Sequence, residues 1–214
     1  MAGLSQPVGS ARQAWQESME RQLASLRTAL QQADPALIAA RSGGSFNGQW
    51  IELAYWGERV QVYWPEGRVF RPEGEERPLF DQAMLLYYLG QADGSPPSGR
   101  WIGFRDLPGG TFYNQAFQGY TGDELGRGFG SQPESFARAA VAAGGSPAPE
   151  LAPLAFVFQP LPRILTAAVL WPGDEDFPAR GQVLFDAACS HYLVTDGLAL
   201  IGSGLVRRIL RMAA

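Results

Sequence analysis

Residues 49–70 read QWIELAYWGERVQVYWPEGRVF. Apolar side chains recur at every second position, first at Ile51, Leu53 and Tyr55 and then at Val60 and Val62. A period of two is typical of a β-strand with one buried face. The segment Pro65-Glu66-Gly67 then supplies a turn before the apolar residues of a third run. The stretch therefore predicts an antiparallel meander.

Helical patterns lie on both sides of this meander. Before it, apolar residues recur at spacings of three and four over residues 11–33, which is one face of a helix. Asp34-Pro35 is typical of an N-cap followed by the first residue of a second, short helix. After the meander, helices are predicted at residues 79–89, 111–142 and 195–212. We expect the middle one to be in two or three pieces, because Gly126–Gly130 is typical of a helix-breaking turn.

Short apolar runs predict further strands at Trp101–Phe104, Leu154–Phe158, Ile164–Trp171 and Val183–Phe185. Hairpins mixed with grouped helices favour the α+β class, with an antiparallel or mixed sheet and helices at the N-terminus, middle and C-terminus. A Gly-, Pro- and Ala-rich loop at residues 144–153 could link two domains, but the strands after it need a sheet to join. We therefore expect a single α+β domain over residues 1–214, with residues 10–33 as an N-terminal helix that can pack at its periphery.

Charge and hydropathy limit the partners of the chain. Its 17 arginines and 21 acids leave a formal net charge of −4, the wrong sign for many phosphate contacts, so we expect no nucleic-acid partner. No apolar run approaches the roughly 20 residues that cross a bilayer. No basic segment followed by an apolar stretch opens the chain, which argues against a secretory signal. We expect a soluble cytoplasmic protein without a membrane partner.

Reactive side chains are scarce. His191 is the only histidine, Cys189 is the only cysteine, and lysine is absent. Structural zinc and iron–sulfur clusters each need about four ligands, which this chain alone cannot supply from Cys and His. Without lysine it cannot hold pyridoxal phosphate as a Schiff base. Any site must be built from arginine, carboxylates, aromatic side chains and backbone N–H groups.

A first candidate site follows the predicted strand at residue 101. Arg105, followed by two glycines at a helix start, can present a guanidinium and free backbone N–H groups to one anion. Candidate ligand contacts here are Trp101, Arg105, Gly109, Gly110 and Tyr113. The alternative is that the glycines only allow a tight turn, while Arg105 pairs with an acid such as Asp106 or Asp81.

A second candidate site spans the last two predicted strands. Its acids could hold a hard cation through oxygen ligands or supply a general acid and base. Candidate ligand contacts here are Trp171, Asp174, Glu175, Asp186 and His191. As a lone histidine, His191 could also be an axial ligand to a haem or corrinoid. The alternatives are a solvated acidic turn and a packed or helix-capping histidine.

An ordered series of motifs extends over most of the chain after the first helix. The motifs are LLYYLG from Leu85, GRWIGFRDLPGG from Gly99, FYNQAF from Phe112, LWPGDEDFP from Leu170, LFD from Leu184 and HYL from His191. In these motifs the chain resembles the bacterial and archaeal family catalogued as domain of unknown function 3786.

The resemblance implies no established activity. Some relatives are similar to iron–sulfur proteins, with a Cys-rich cluster module beside this domain, in anaerobes that use corrinoid and one-carbon chemistry. This chain shows no such module, so the resemblance implies a separate redox protein as partner for any redox role.

The function predicted from these features is that of a ligand- or cofactor-binding accessory domain with an anion-accepting aromatic pocket. A flat apolar ligand of the tetrapyrrole type would suit the aromatic content of 12%. One alternative is an enzyme that uses carboxylates, such as a metal-assisted hydrolase or a transferase. The other is a protein–protein interaction module.

Overall fold

A computed structural model describes residues 8–213 of the chain, with side chains from residue 13 onward. Residues 1–7, which bear on the expectation of no secretory signal, lie outside the described residues. Contacts divide the chain into two compact units. The first contains residues 8–53 and Arg59–Ala92, and the second contains Ala54–Glu58 and residues 93–213. The expectation of a single domain stays a prediction.

The first unit combines helices with a four-stranded antiparallel sheet. Its helices are α1 (Val8–Gln31), α2 (Pro35–Ser42) and α3 (Leu79–Gln91). Its strands, in sheet order, are β1 (Ser45–Phe46), β2 (Trp50–Tyr55), β3 (Glu58–Tyr63) and β4 (Arg68–Phe70). The turn between β2 and β3 belongs to the second unit. The predicted meander is confirmed.

Local sequence signals set the elements of the first unit. The period-two residues Ile51 and Val60 are fully buried, because alternate side chains of a strand share one face. The Asp34 carboxylate accepts the backbone N–H of Ala36 at 2.8 Å, and Pro35 is the first residue of α2, so the predicted cap is confirmed. Helix α1 packs on α3 and buries Leu23.

The second unit contains a five-stranded antiparallel sheet in the order β5-β9-β8-β7-β6. Its strands are β5 (Trp101–Gly103), β6 (Ser146–Pro147), β7 (Ala155–Leu161), β8 (Ile164–Trp171) and β9 (Arg180–Asp186). Its helices are α4 (Gly110–Gly119), α5 (Gly122–Phe129), α6 (Pro133–Ala142) and α7 (Thr195–Met212). Short 3-10 turns follow β5 at Phe104–Asp106 and β9 at Ala187–His191. The α+β class with antiparallel sheets is confirmed.

Aromatic side chains tie the helices of the second unit to its sheet. Phe104 stacks on Phe117 of α4 with ring centroids 4.0 Å apart, and Phe117 lies 6.0 Å from Phe185 of β9. All three rings are buried. A Cβ atom at Gly202 of α7 would lie 2.7 Å from the Phe117 ring, so only glycine lets α7 approach this closely. These contacts fix α4 and α7 against β9.

The glycines of α5 serve close packing. The predicted division of the middle helix into two or three pieces is confirmed by α4, α5 and α6, but the placement of the break at Gly126–Gly130 is wrong, because α5 is helical through Phe129 and the break lies at residues 130–132. Gly122 and Gly126 are one helical turn apart and face β9, where a Cβ at Gly181 would lie 2.5 Å from the Gly122 carbonyl oxygen. The spacing therefore marks a helix face that touches a strand backbone.

No helix among residues 8–213 is both long and apolar enough to cross a membrane.

Candidate functional site

A cleft of about 190 Å³ lies in the second unit. Its walls come from the turn after β5, from α4, from the start of α5 and from the start of β9. The lining residues are Gly103, Phe104, Arg105, Asn114, Gln118, Asp123, Arg180, Gly181 and Gln182. Most of these side chains are charged or carry a carboxamide, so the cleft offers hydrogen bonds and charge to a ligand.

The start of α4 fixes one wall of the cleft. A Cβ at Gly110 would overlap the carbonyl oxygen of Phe104, so glycine is needed where α4 meets the preceding turn. The Gly110 N–H donates to the Leu107 carbonyl at 2.8 Å, and the Thr111 hydroxyl donates to the Arg105 carbonyl at 3.0 Å. The Gly110 N–H is therefore engaged within the turn. The two glycines hold Arg105 against α4, and Asn114 and Gln118, one turn apart, share the cleft face.

The opposite wall depends on the contact between α5 and β9. The backbone of Gly122 and the backbone of Gly181 lie too close for a side chain on either residue. This approach places Asp123, the next residue of α5, beside Gly181 and Gln182 in the cleft lining. Asp123 also lies in the first turn of α5, where the helix dipole stabilises a negative charge.

The two arginines of the cleft are weakly paired. Arg105 has a 70% exposed side chain, and its Nε lies 4.0 Å from the Asp106 carboxylate. Asp81 pairs instead with Arg77 at 3.6 Å. The Arg180 guanidinium lies 5.8 Å from the centre of the Trp171 ring, and no carboxylate in the described part of the chain lies within 4.0 Å of it. Both guanidinium groups thus keep hydrogen-bond donors for a ligand.

The predicted site residues do not form one pocket. Arg105 lines the cleft, and Trp171 contacts the cleft residue Arg180. Trp101 is the strand partner of Asp186, which is the last residue of β9, whereas the cleft lies at the start of β9. Tyr113 is 63% exposed on α4 and is not part of the cleft lining.

Asp174 holds its own loop. Its carboxylate accepts the backbone N–H groups of Asp176 at 2.9 Å and Phe177 at 2.7 Å, and Glu175 is exposed in the same turn. Such a turn, closed by an Asp side chain, is common in polar loops. Within residues 8–213, no group of three or more His, Cys, Asp or Glu side chains is placed to share a metal ion.

Asp186 is a buried anchor for the loop at residues 93–99. Its carboxylate accepts the Ser98 N–H at 2.9 Å, the Ser98 hydroxyl at 3.0 Å and the Gly99 N–H at 2.7 Å. It also accepts the Ala188 N–H at 2.8 Å, which caps the turn after β9. Four donors satisfy a buried carboxylate, so its position has a structural explanation.

His191 pairs with Asp93, a residue that the sequence did not single out. The Nδ1 atom of His191 lies 2.6 Å from Oδ2 of Asp93, and a carboxylate can only accept, so the ring N–H donates. The Ser95 N–H donates to the other oxygen of Asp93 at 2.8 Å. This backbone bond, together with the His191 bond, lowers the pKa of Asp93 to about 2. The pair lies on the surface of the second unit, with Nε2 of His191 turned away from Asp93.

Cys189 lies two residues before His191 and is fully buried. Burial raises the pKa of its thiol to about 12, and the thiol donates to the Leu165 carbonyl at 3.3 Å. A thiol that stays protonated is a poor nucleophile and a poor metal ligand. Cys189 therefore behaves as a core residue.

Most of the cleft could not be found from the sequence. Arg105 was singled out by the glycines after it. Asn114 lies in the motif that begins at Phe112 but was not predicted as a contact, and Gln118, Asp123 and Gln182 belong to no local motif. For the wall formed by β9, the sequence offered one signal, which is Gly181 after Arg180. A glycine within a strand often marks a close backbone approach.

The family model described as Domain of unknown function (DUF3786) matches residues 34–208 of the chain. The matched range runs through residues of both units. Searches of curated proteins and of solved structures find no match.

Proposed function

Because the chain belongs to the DUF3786 family, whose function is unknown, we propose a function from the cleft itself. The domain binds a small anionic ligand in the cleft, with Arg105 and Arg180 as the charged contacts. The observation that carries this proposal is that two guanidinium groups, neither with a carboxylate closer than 4.0 Å in the described residues, line the same cleft.

The chemistry of the lining supports an anion with planar oxygen groups. A guanidinium donates two parallel hydrogen bonds to a carboxylate or phosphate, which adds direction to the attraction. The amide groups of Asn114, Gln118 and Gln182 add donors and acceptors around the two arginines. Polar groups that converge on one concave site fix the orientation of a bound ligand.

The size of the cleft favours a small ligand. Pockets for drug-sized ligands are about 300 to 1,000 Å³, and this cleft is about 190 Å³. A tetrapyrrole-type ligand would need far more room at this site. The aromatic contribution is limited to Trp171, which contacts Arg180 from outside the lining, and to the buried Phe104.

The test uses succinate as a small dicarboxylate probe. Binding is measured by calorimetry and by amide chemical shifts, which should move for Gly103 and Gly181 in the lining. Changing both Arg105→Gln and Arg180→Gln should weaken binding by up to roughly 30-fold, since each exposed charge contact contributes up to about 1 kcal/mol. Both side chains are exposed, so the melting temperature should not change.

A matched control separates the cleft from net charge. Arg138→Gln removes one positive charge from an exposed position of α6, outside the cleft lining. Its succinate affinity should stay within about twofold of the original, because a remote surface charge is screened. Full succinate binding by the double variant, or the failure of both succinate and its amino derivative to bind, would overturn the proposal.

A further inference from the structure

The cleft also contains one negative charge that the proposed anion site does not use. Asp123 lines the cleft together with Arg105 and Arg180. In the described part of the chain its carboxylate has no hydrogen-bond or ion-pair partner. Asp106, which pairs weakly with Arg105, is outside the lining. A carboxylate that has no partner of its own, and that lines the same cleft as two guanidinium groups, can accept a positively charged group of a ligand.

We propose that the ligand of the cleft is a small amino-carboxylate, with carboxylates on Arg105 and Arg180 and a protonated amine on Asp123. This inference rests on the proposed function, because it assigns a ligand class to the same cleft. Two arginines and one aspartate give the lining a formal charge of +1. A dicarboxylate with one protonated amine carries −1 and balances that charge, whereas a simple dicarboxylate carries −2 and places excess negative charge near Asp123.

The volume agrees with a ligand of this class. An apolar cavity of about 150 Å³ takes up one benzene molecule. In proportion, a cleft of about 190 Å³ suits a ligand of about eight non-hydrogen atoms. Succinate has this size, and L-aspartate is succinate with one added amino group. The two molecules therefore form a matched pair that differs only in the group assigned to Asp123.

The experiment compares L-aspartate with succinate on the full chain by calorimetry at low ionic strength. L-aspartate should bind at least about threefold more tightly, the ratio expected for one exposed charge contact. Asp123→Asn should weaken L-aspartate binding by a similar factor. The same change should leave succinate binding unchanged or stronger, because it removes a like charge. A substitution that merely damaged the fold would weaken both ligands together.

Glu134→Gln is the matched control for the helix end. Glu134 is an exposed acid in the first turn of α6, as Asp123 is in α5, and it lies outside the cleft lining. This control should keep the preference for L-aspartate.

Two outcomes separate the two proposals. If succinate binds as tightly as L-aspartate, and Asp123→Asn does not change their ratio, the amino-carboxylate is excluded while the anion site stands. If neither molecule binds, the anion site falls as well.

Discussion

Replacing Asp186 by Asn should destabilise the protein, because this carboxylate is a buried structural anchor. Asp186 is 1% exposed and accepts four hydrogen bonds. Three of them, from the Ser98 N–H, the Ser98 hydroxyl and the Ala188 N–H, go to Oδ1. The fourth, from the Gly99 N–H, goes to Oδ2 at 2.7 Å. The substitution keeps one oxygen and turns the other acceptor into a donor.

The magnitude follows from the bonds that change. If the Asn oxygen keeps the three donors of Oδ1, its NH₂ group faces the Gly99 N–H, and two donors meet without an acceptor. Leaving a buried donor unsatisfied costs about 1 to 3 kcal/mol, and the remaining bonds lose the strength that the charge gave them. We expect a loss of about 3 kcal/mol in the free energy of unfolding. For a chain of this length, that is a fall of roughly 6 to 12 °C in Tm.

The assay is thermal and urea unfolding followed by tryptophan fluorescence, since Trp101 is the strand partner of Asp186. Asp186→Ala should cost more than Asp186→Asn, because it removes the acceptor of all four donors. Asp174→Asn is the matched control: its exposed carboxylate accepts two N–H groups that an Asn oxygen can also accept, so the cost should stay within about 0.5 kcal/mol.

An unchanged Tm in Asp186→Asn would refute this reasoning. It would reopen the interpretation of Asp186 as a ligand or catalytic carboxylate, because active-site groups are often held at a cost to stability. A binding or activity change in Asp186→Asn without a stability change would point the same way.

Two further changes test other contacts of the second unit. Gly122→Ala should destabilise it by about 1 to 3 kcal/mol in urea unfolding, because the new Cβ would overlap the Gly181 carbonyl; Gly119→Ala, in open space at the end of α4, should not destabilise it. The bond from the Ser95 N–H, together with the bond from His191, lowers the pKa of Asp93 from 3.8 to about 2; these bonds should add stability above about pH 4 and lose that contribution as the pH falls towards 2. The difference in Tm between the original protein and Asp93→Asn, measured across this range, should shrink on acidification, and a constant difference would contradict the assignment.

Those parts of the fold that depend on neighbouring residues could be predicted from the sequence. The alternation in residues 49–70 gave the meander, because burial of one strand face needs only a period of two. Asp34-Pro35 gave the start of α2, because a cap is made within three residues. The role of Gly126 was predicted wrongly, because it depends on residues that are distant along the chain. Whether a glycine ends a helix or lets it approach another backbone depends on the facing residue, and here that residue is Ala179, far along the chain.

The candidate site was harder to predict than the fold. Arg105 was found because the glycines after it form a local signal. Arg180 was missed, since it shares a cleft with Arg105 only because β5 pairs with β9. The pair of Asp93 and His191 joins residues 98 positions apart. No spacing rule connects such residues before the sheet is known.

The aspartates of this chain differ in what their carboxylates accept. A first group closes caps or turns, because each member accepts at least one backbone N–H within three residues: Asp34, Asp93, Asp106, Asp174 and Asp186. The carboxylates of Asp123, Asp176 and Asp196 accept no hydrogen bond from the described residues, and of these three only Asp123 lines the cleft. A structural role explains the first group without any ligand. It does not explain why Asp123 lines a cleft with two arginines, which makes Asp123 the residue at which a ligand role can be tested most directly.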